Sequence, residues 1–230
     1  MSMSPHHLAD PAESRADAPP APAPTSRRRF VRNVGLGAAA VGAVAVTGGA
    51  LTSVASAQTA SEAEPPDLEA GDIELVQWLQ SLSIAAQEAL DTASEATFLP
   101  SEDTNMLRGF SRHHRDQATA LGTLLAEEES VTTANPELLS ELDGQVSGAD
   151  DRQALLEGLQ QFEERLAATM LASLGEAEMF LVAGAIAAAM AVVGQQAAAL
   201  GSATDMPIGD WLPTFATTDG AYTQAAYPAP

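Results

Sequence analysis

Apolar residues recur at alternating spacings of four and three along most of the chain beyond residue 72. The first run consists of Leu75, Leu79, Leu82, Ala86 and Ala89. Because an α-helix completes a turn every ~3.6 residues, this spacing puts the five side chains on one face. The pattern predicts a helix from about Asp72 to Thr92.

Three further runs with the same period predict helices at about Glu102–Glu128, Asp150–Leu174 and Ala177–Leu200. Between the second and third, Asn135 before Pro136 predicts the capped start of a short helix. No alternating run is long enough to predict a strand. We therefore expect an all-α domain, a four-helix bundle with one long crossover connection.

The remaining segments suggest how the chain is divided. We expect an export signal with a disordered leader at 1–57, a linker at 58–71, the bundle at 72–201 and an irregular tail at 202–230. The tail holds Trp211, Phe215, Tyr222 and Tyr227. Because disordered segments rarely keep so many aromatic residues, we expect it to pack along the bundle.

The N-terminal region has the order of an export signal. The basic stretch Ser26–Arg32 precedes an uncharged run, Asn33–Gln58, that contains a small-x-small site at Ala55 and Ala57. The alternative is a retained membrane anchor. The run is rich in glycine and alanine, and so only weakly apolar for a membrane span, which favours cleavage after Ala57 and no stable span afterwards.

Within the basic stretch, Arg27, Arg28 and Phe30 resemble the twin-arginine signal of bacteria and archaea. Val31 stands where that signal more often has leucine. The resemblance implies that the twin-arginine translocase exports this protein already folded. The expected location is extracellular or in the cell envelope.

Charge narrows the possible partners. Residues 1–57 hold five of the ten basic residues and three of the 31 acidic ones, so residues 58–230 carry five and 28, a net charge of −23. Such a surface repels nucleic acid and anionic lipid. It is typical of proteins from salt-rich habitats, or of an ordinary acidic exported protein. The chain has no cysteine, which excludes a disulfide and a thiolate nucleophile.

Polar residues interrupt three of the four predicted apolar faces, namely His114, Gln117, Glu163 and Gln196. An unpaired buried polar group costs roughly 1–3 kcal/mol. All four lie near the middle of their helices, so we expect them to form one buried hydrogen-bonded cluster in which His114 meets Glu163. We expect the neighbouring His113 at the surface.

The spans Leu75–Leu125 and Phe162–Leu200 resemble the ferritin-like domains of exported bacterial proteins, most clearly in the stretches Leu107–Arg115 and Phe162–Met170. Metal-bearing members of that family supply one Glu from each of two helices and a Glu-x-x-His pair from each of the other two. The corresponding positions in this sequence are Ala85, His114 with Gln117, Glu163, and Val193 with Gln196.

Only Glu163 matches this ligand pattern, so the resemblance implies a ferritin-like fold with a degenerate di-metal site. His114 and Glu163 are the residual metal candidates. No catalytic residue and no cofactor are expected. The favoured function is a non-enzymatic exported bundle with a structural, envelope or partner-binding role, and self-association into a homo-oligomer is left open. One alternative is an iron- or manganese-binding oxidase or storage-type protein. Another is a binder of apolar small molecules lined by Ala183–Ala191.

Overall fold

The computed structural model describes residues 66–204, 207 and 217–230, apart from the side chain of Glu128. The residues of the expected export signal, Arg27, Arg28, Phe30, Ala55 and Ala57, lie outside the described residues, as do Trp211 and Phe215.

Five α-helices make up most of the described chain. They are α1 (Ala70–Ala93), α2 (Ser101–Gly122), α3 (Pro136–Gly148), α4 (Arg152–Leu174) and α5 (Phe180–Ala203), with a 3-10 turn at Glu127–Glu129. The described residues contain no β-strand, so the all-α prediction is confirmed for them. The four long helices of the sequence prediction are α1, α2, α4 and α5.

Side-chain caps fix the start of two of these helices. The Asn135 side chain accepts a hydrogen bond from the backbone N–H of Leu138 at 3.1 Å, and Pro136 opens α3. The predicted cap of the short helix is thereby confirmed. In the same way, the Asp151 carboxylate accepts from the N–H of Ala154 at 2.9 Å and caps α4.

Helix α5 ends at Ala203, three residues later than predicted, and the end of α2 and the start of α5 also differ from the prediction at places where side chains of α1 bond to nearby backbone. Helix α2 ends at Gly122 rather than Glu128. Near this end, the Gln80 side chain donates a hydrogen bond to Ala118 O and accepts one from the backbone N–H of Val131. Helix α5 begins at Phe180 rather than Ala177. There the buried Asp72 carboxylate accepts from the N–H groups of Glu178 and Met179 at 3.0 and 2.8 Å.

The helices pair as α1 with α2 and α4 with α5, while α3 lies against α1 and α4 and α2 also touches α5. Two apolar clusters fill the interior. The larger is built around Leu79, Leu82, Phe162, Leu166 and Val193. The smaller is built from Leu90, Ala93, Leu107, Leu155, Leu156, Leu159 and Leu200.

Residues 217–230, called here the aromatic segment, have no regular secondary structure and lie against the bundle. Tyr222 is only 2% exposed and belongs to the larger cluster, and the partly buried Tyr227 packs on that cluster. The aromatic segment therefore covers part of the core that the helices leave open.

Candidate functional site

The most unusual feature of the core is an ionisable pair in its centre. His114 of α2 and Glu163 of α4 are joined by a 3.0 Å contact between Nε2 and Oε1, and both side chains are 0% exposed. A buried pair of this kind lacks screening by water, so each partner depends strongly on the other. The structure thus brings together the two residual metal candidates.

The pair lies between the two apolar clusters. On α2, His114 falls between Leu107 of the smaller cluster and Leu121 of the larger one. On α4, Glu163 follows Leu159 of the smaller cluster and precedes Leu166 of the larger one. Gln196 of α5, also buried, is placed in the same way between Val193 and Leu200. These three residues form a polar layer across the bundle.

Gln117 and Gln196 do not bond to the pair. Gln117 is half-buried and donates to Ser83 Oγ of α1 at 3.0 Å. Gln196 Nε2 contacts Nδ1 of His113 at 3.1 Å. The single four-residue cluster expected from the sequence is therefore divided into three separate hydrogen-bonded pairs, because the polar side chains of α2 point towards three different helices.

His113 does not lie at the surface as expected. It is half-buried, stacks on Phe110 with ring centroids 6.4 Å apart, and bonds to Gln196. Burial lowers the pKa of His113, and the neighbouring His114 lowers it further. His113 thus connects α2 to α5 preferentially in its neutral form.

The polar layer is incompletely satisfied. Among the described residues, five buried side-chain atoms have no hydrogen-bond partner: Ser111 Oγ, His114 Nδ1, Glu163 Oε2, Gln196 Oε1 and the Tyr222 hydroxyl. Each such atom costs roughly 1–3 kcal/mol. The contact between α2 and α4 thus uses one polar atom of His114 and one of Glu163 and leaves the second atom of each unpaired.

The residues at the expected ligand positions do not fit a di-metal centre. Ala85 and Val193 are fully buried hydrocarbon side chains and cannot ligate a cation. What remains is one carboxylate and one imidazole, whereas two hard cations need several anionic ligands. Within the described ranges, no three or more His, Asp or Glu side chains are grouped so that they could hold a metal ion.

A second polar cluster, which the sequence did not predict, fixes the aromatic segment. Arg165 of α4 lies 4.1 Å above the Tyr222 ring and donates to Gly220 O at 3.1 Å and to Glu141 Oε1 at 2.5 Å. Tyr227 donates its hydroxyl to the other Glu141 oxygen at 2.6 Å. We call these side chains, Glu141, Arg165, Tyr222 and Tyr227, the clasp.

Backbone groups of the aromatic segment are held as well. Trp78 of α1 donates to Tyr227 O at 2.7 Å, and Asn135 donates to Tyr227 O and Pro228 O at 3.1 and 2.8 Å. Tyr222 donates its N–H to Thr169 Oγ1 at 2.8 Å. Burial raises the pKa of Tyr222 strongly, although the positive charge of Arg165 opposes the rise.

An open cleft runs along α1 and α2, with two adjoining pockets of about 720 and 420 Å³ that share Arg115. Arg108 and Arg112 line the smaller pocket together with Asp91 of α1 and Glu95, which follows the end of α1. Its charges therefore largely compensate each other. Neither pocket is lined by Ala183–Ala191, the wall considered for an apolar ligand.

Helix α5 differs from the rest of the bundle in its exposed surface. It is the one helix of the described chain whose length and composition would allow it to cross a membrane, and 33% of its most apolar window is buried. At its start Phe180 is 93% and Leu181 48% exposed.

No protein-family model matches the chain, and no curated protein or solved structure matches it.

Proposed function

We propose that this is an exported helical-bundle protein without enzymatic activity, which acts outside the cytoplasm through a structural or partner-binding role. The degenerate ferritin-like site suggested by the sequence is, in this proposal, a structural element of the core. The protein would bind other molecules through its surface rather than transform them in its interior.

The observation that carries this proposal is the closure of the His114–Glu163 pair. Both side chains are fully buried, and the two atoms that could transfer a proton, His114 Nε2 and Glu163 Oε1, are in contact with each other. A substrate could reach them only if the helices that bury the pair moved apart. A general acid or base must come within hydrogen-bond distance of its substrate, and the closed pair does not meet this requirement.

Metal analysis of the exported protein tests the proposal. The wild type and a Glu163→Gln variant, which keeps the side-chain shape, are produced with iron and manganese supplied and analysed by elemental mass spectrometry. We expect substoichiometric metal in both. Near-stoichiometric iron or manganese that is lost in Glu163→Gln would overturn the non-enzymatic proposal.

One observation favours the second candidate, a metal-binding protein of oxidase or storage type. His114 Nδ1 and Glu163 Oε2 are buried without hydrogen-bond partners, and both atoms are potential ligands. The same experiment decides between the two functions. The second candidate requires stoichiometric metal, and additional ligands that the described residues do not supply at the equivalent positions.

The export part of the proposal rests on the sequence and has its own test. Replacing Arg27 and Arg28 together by lysine should leave the unprocessed chain in the cytoplasm, because the translocase reads that pair. Arg29→Lys, at the spacer position, is the matched control and should be exported normally. N-terminal sequencing of the exported chain should begin at Gln58. A full-length N-terminus on exported protein would indicate a retained anchor instead.

A further inference from the structure

Positive charge is scarce beyond residue 57, and most of it lies in one place. Residues 58–230 contain five arginines and no lysine, against 28 acidic residues. Three of the five, Arg108, Arg112 and Arg115, line the smaller pocket of the cleft along α1 and α2. Their spacings of four and three put them on one face of α2. We call these three side chains the pocket arginines.

The pocket arginines differ from the other two in having no partner within the part of the chain that the structure describes. Arg152 and Arg165 are each ion-paired with a carboxylate and held in place by it. The side chains of the pocket arginines are exposed, and they form no ion pair or hydrogen bond with another described residue. Their donors are therefore available to a ligand.

The same pocket also holds carboxylates that are not paired. Asp91, in the last turn of α1, and Glu95, just beyond its end, line it together with the pocket arginines. Neither carboxylate forms an ion pair or hydrogen bond with any other residue in the described ranges. The pocket thus presents both signs of charge without joining them to each other.

The size of the smaller pocket suits a small organic molecule. Its volume of about 420 Å³ lies within the 300–1,000 Å³ that is common for ligand sites. Ser94 is the one buried residue of its lining and already donates its hydroxyl to Asp91 O at 2.8 Å. The side-chain donors left for a ligand are therefore those of the pocket arginines.

We propose that the smaller pocket binds a zwitterionic α-amino acid, with its carboxylate on the pocket arginines and its ammonium group on Asp91 and Glu95. This inference rests on the proposed binding role and names the class of ligand. Arginine presents its donors in a planar fork that matches both oxygens of a carboxylate. An ammonium group has three N–H donors, and ionised carboxylates only accept. One small molecule thereby complements both signs of charge in the pocket.

A ligand with a single charge would fit the pocket less well. A simple anion would meet the pocket arginines but would be repelled by Asp91 and Glu95, and a simple cation would meet the reverse. An anion would also approach against the net charge of −23 on residues 58–230. A zwitterion has no net charge, so the acidic surface does not oppose its approach.

The larger pocket determines which amino acid should bind best. It adjoins the smaller pocket at Arg115, and polar side chains contribute much of its lining, among them Gln87, Thr119 and Thr132. Glu88 and Glu127 also line it and would repel an acidic side chain. We therefore expect L-glutamine to bind more tightly than L-leucine or L-glutamate.

Nitrogen-15 NMR of the arginine side chains tests the site directly. On titration with L-glutamine, the Nε–Hε signals of the pocket arginines should shift, whereas those of Arg152 and Arg165 should stay in place because both are held in ion pairs. The pocket is open to solvent, so we expect a dissociation constant on the order of millimolar. Equal shifts of all these signals, or none at about 100 mM ligand, would overturn the proposal.

Single-charge probes separate an amino-acid site from a general ion site. Acetate and methylammonium each carry one of the two charges and should shift the signals of the pocket arginines far less than L-glutamine does. Inorganic phosphate should also act weakly. If acetate or phosphate shifted these signals as strongly as L-glutamine, the pocket would attract anions only and the proposal would be wrong.

Two substitutions each remove one charge from the proposed site. Asp91→Asn and Arg112→Gln should each weaken L-glutamine binding roughly tenfold or more, because a charge-assisted hydrogen bond is lost. Asp116→Asn is the control, since Asp116 is exposed on α2 and lines neither pocket. It should bind like the wild type, and circular dichroism should show all three variants folded. Losses of equal size in Asp116→Asn and Asp91→Asn would contradict the proposed site.

These outcomes are separable from those of the proposed function. A protein that binds neither amino acid nor metal would contradict the amino-acid site and leave the non-enzymatic role standing. Binding of L-glutamine together with stoichiometric metal that is lost in Glu163→Gln would contradict the non-enzymatic role and leave the amino-acid site standing.

Discussion

The His114–Glu163 pair and the clasp both join ionisable side chains from different helices, but they do so in different surroundings. The pair is 0% exposed on both sides and leaves one polar atom of each residue without a partner. In the clasp, the Arg165 and Glu141 side chains are 36% and 28% exposed, and Arg165 divides its donors between Glu141 and Gly220.

This difference determines how much each contact should contribute. Removing one member of a buried pair leaves a charge or dipole that water cannot reach, whereas an exposed member of the clasp can be solvated when its partner is lost. The pair should therefore be highly sensitive to single substitutions. Substitutions that change a charge in the clasp should have little effect on stability, whereas loss of the buried Tyr222 ring should have a larger one.

The largest effect is expected at the pair. His114→Leu leaves Glu163 buried alone and should lower the free energy of unfolding by about 3–5 kcal/mol, measured by urea unfolding followed by circular dichroism. The double variant His114→Leu with Glu163→Leu removes both polar groups and should regain most of that loss. If the double variant were as unstable as the sum of the single variants, the pair would not be coupled in this way.

Loss of the buried ring of the clasp comes next. Tyr222→Ala should cost about 3 kcal/mol, because it removes an aromatic side chain from the larger cluster. Tyr222→Phe removes only a hydroxyl that has no partner and should be close to the wild type in the same urea titration. Equal destabilisation by both variants would mean that the hydroxyl, rather than the ring, holds the aromatic segment.

A smaller effect is expected for the charged member of the clasp. Arg165→Ala should cost about 1 kcal/mol, since its ion pair with Glu141 is partly solvated. Hydrogen exchange should show the loss locally, as faster exchange at the N–H of Tyr222. High salt should reduce the difference from the wild type. A loss as large as that of His114→Leu would contradict the distinction between the two regions.

The smallest effect at neutral pH concerns tyrosine ionisation. Burial raises the pKa of Tyr222, and the hydrogen bond to Glu141 raises that of Tyr227. Because the folded pKa values lie above the unfolded value of about 10, this contribution is complete below pH 10 and is lost as the pH rises further. The unfolding free energy should fall above pH 10, and less steeply in Tyr222→Phe. Identical slopes would argue against a buried, neutral Tyr222.

The sequence period predicted the faces of the helices but not the neighbours of each polar side chain. All five seam residues of α1 are buried, as are Glu163 and Leu166 on α4. His114 and Gln117 share one predicted face, yet they bond to α4 and α1 respectively. A difference of three residues rotates a side chain by about 60°, which is enough to select another neighbour.

The clasp could not be predicted because its contacts connect segments far apart in sequence. Arg165 and Gly220 are 55 residues apart, and residues 217–230 have no periodicity to indicate a buried face. The two tyrosines in a tail expected to pack along the bundle were the available signal. The displaced ends of α2 and α5 have a similar origin, since Gln80 and Asp72 act on backbone that is distant along the chain.

The contacts of α1 also constrain the order in which this protein can fold during synthesis. Asp72 can accept its two hydrogen bonds only after Glu178 and Met179 have been synthesised. Trp78 can donate its hydrogen bond only after Tyr227, 149 residues later, has been synthesised. The first helix of the described residues is therefore among the last to gain all of its partners. An incomplete chain leaves Asp72, near the start of α1, without these two hydrogen-bond donors. Nearly the whole chain must be made before that end of the domain is secured.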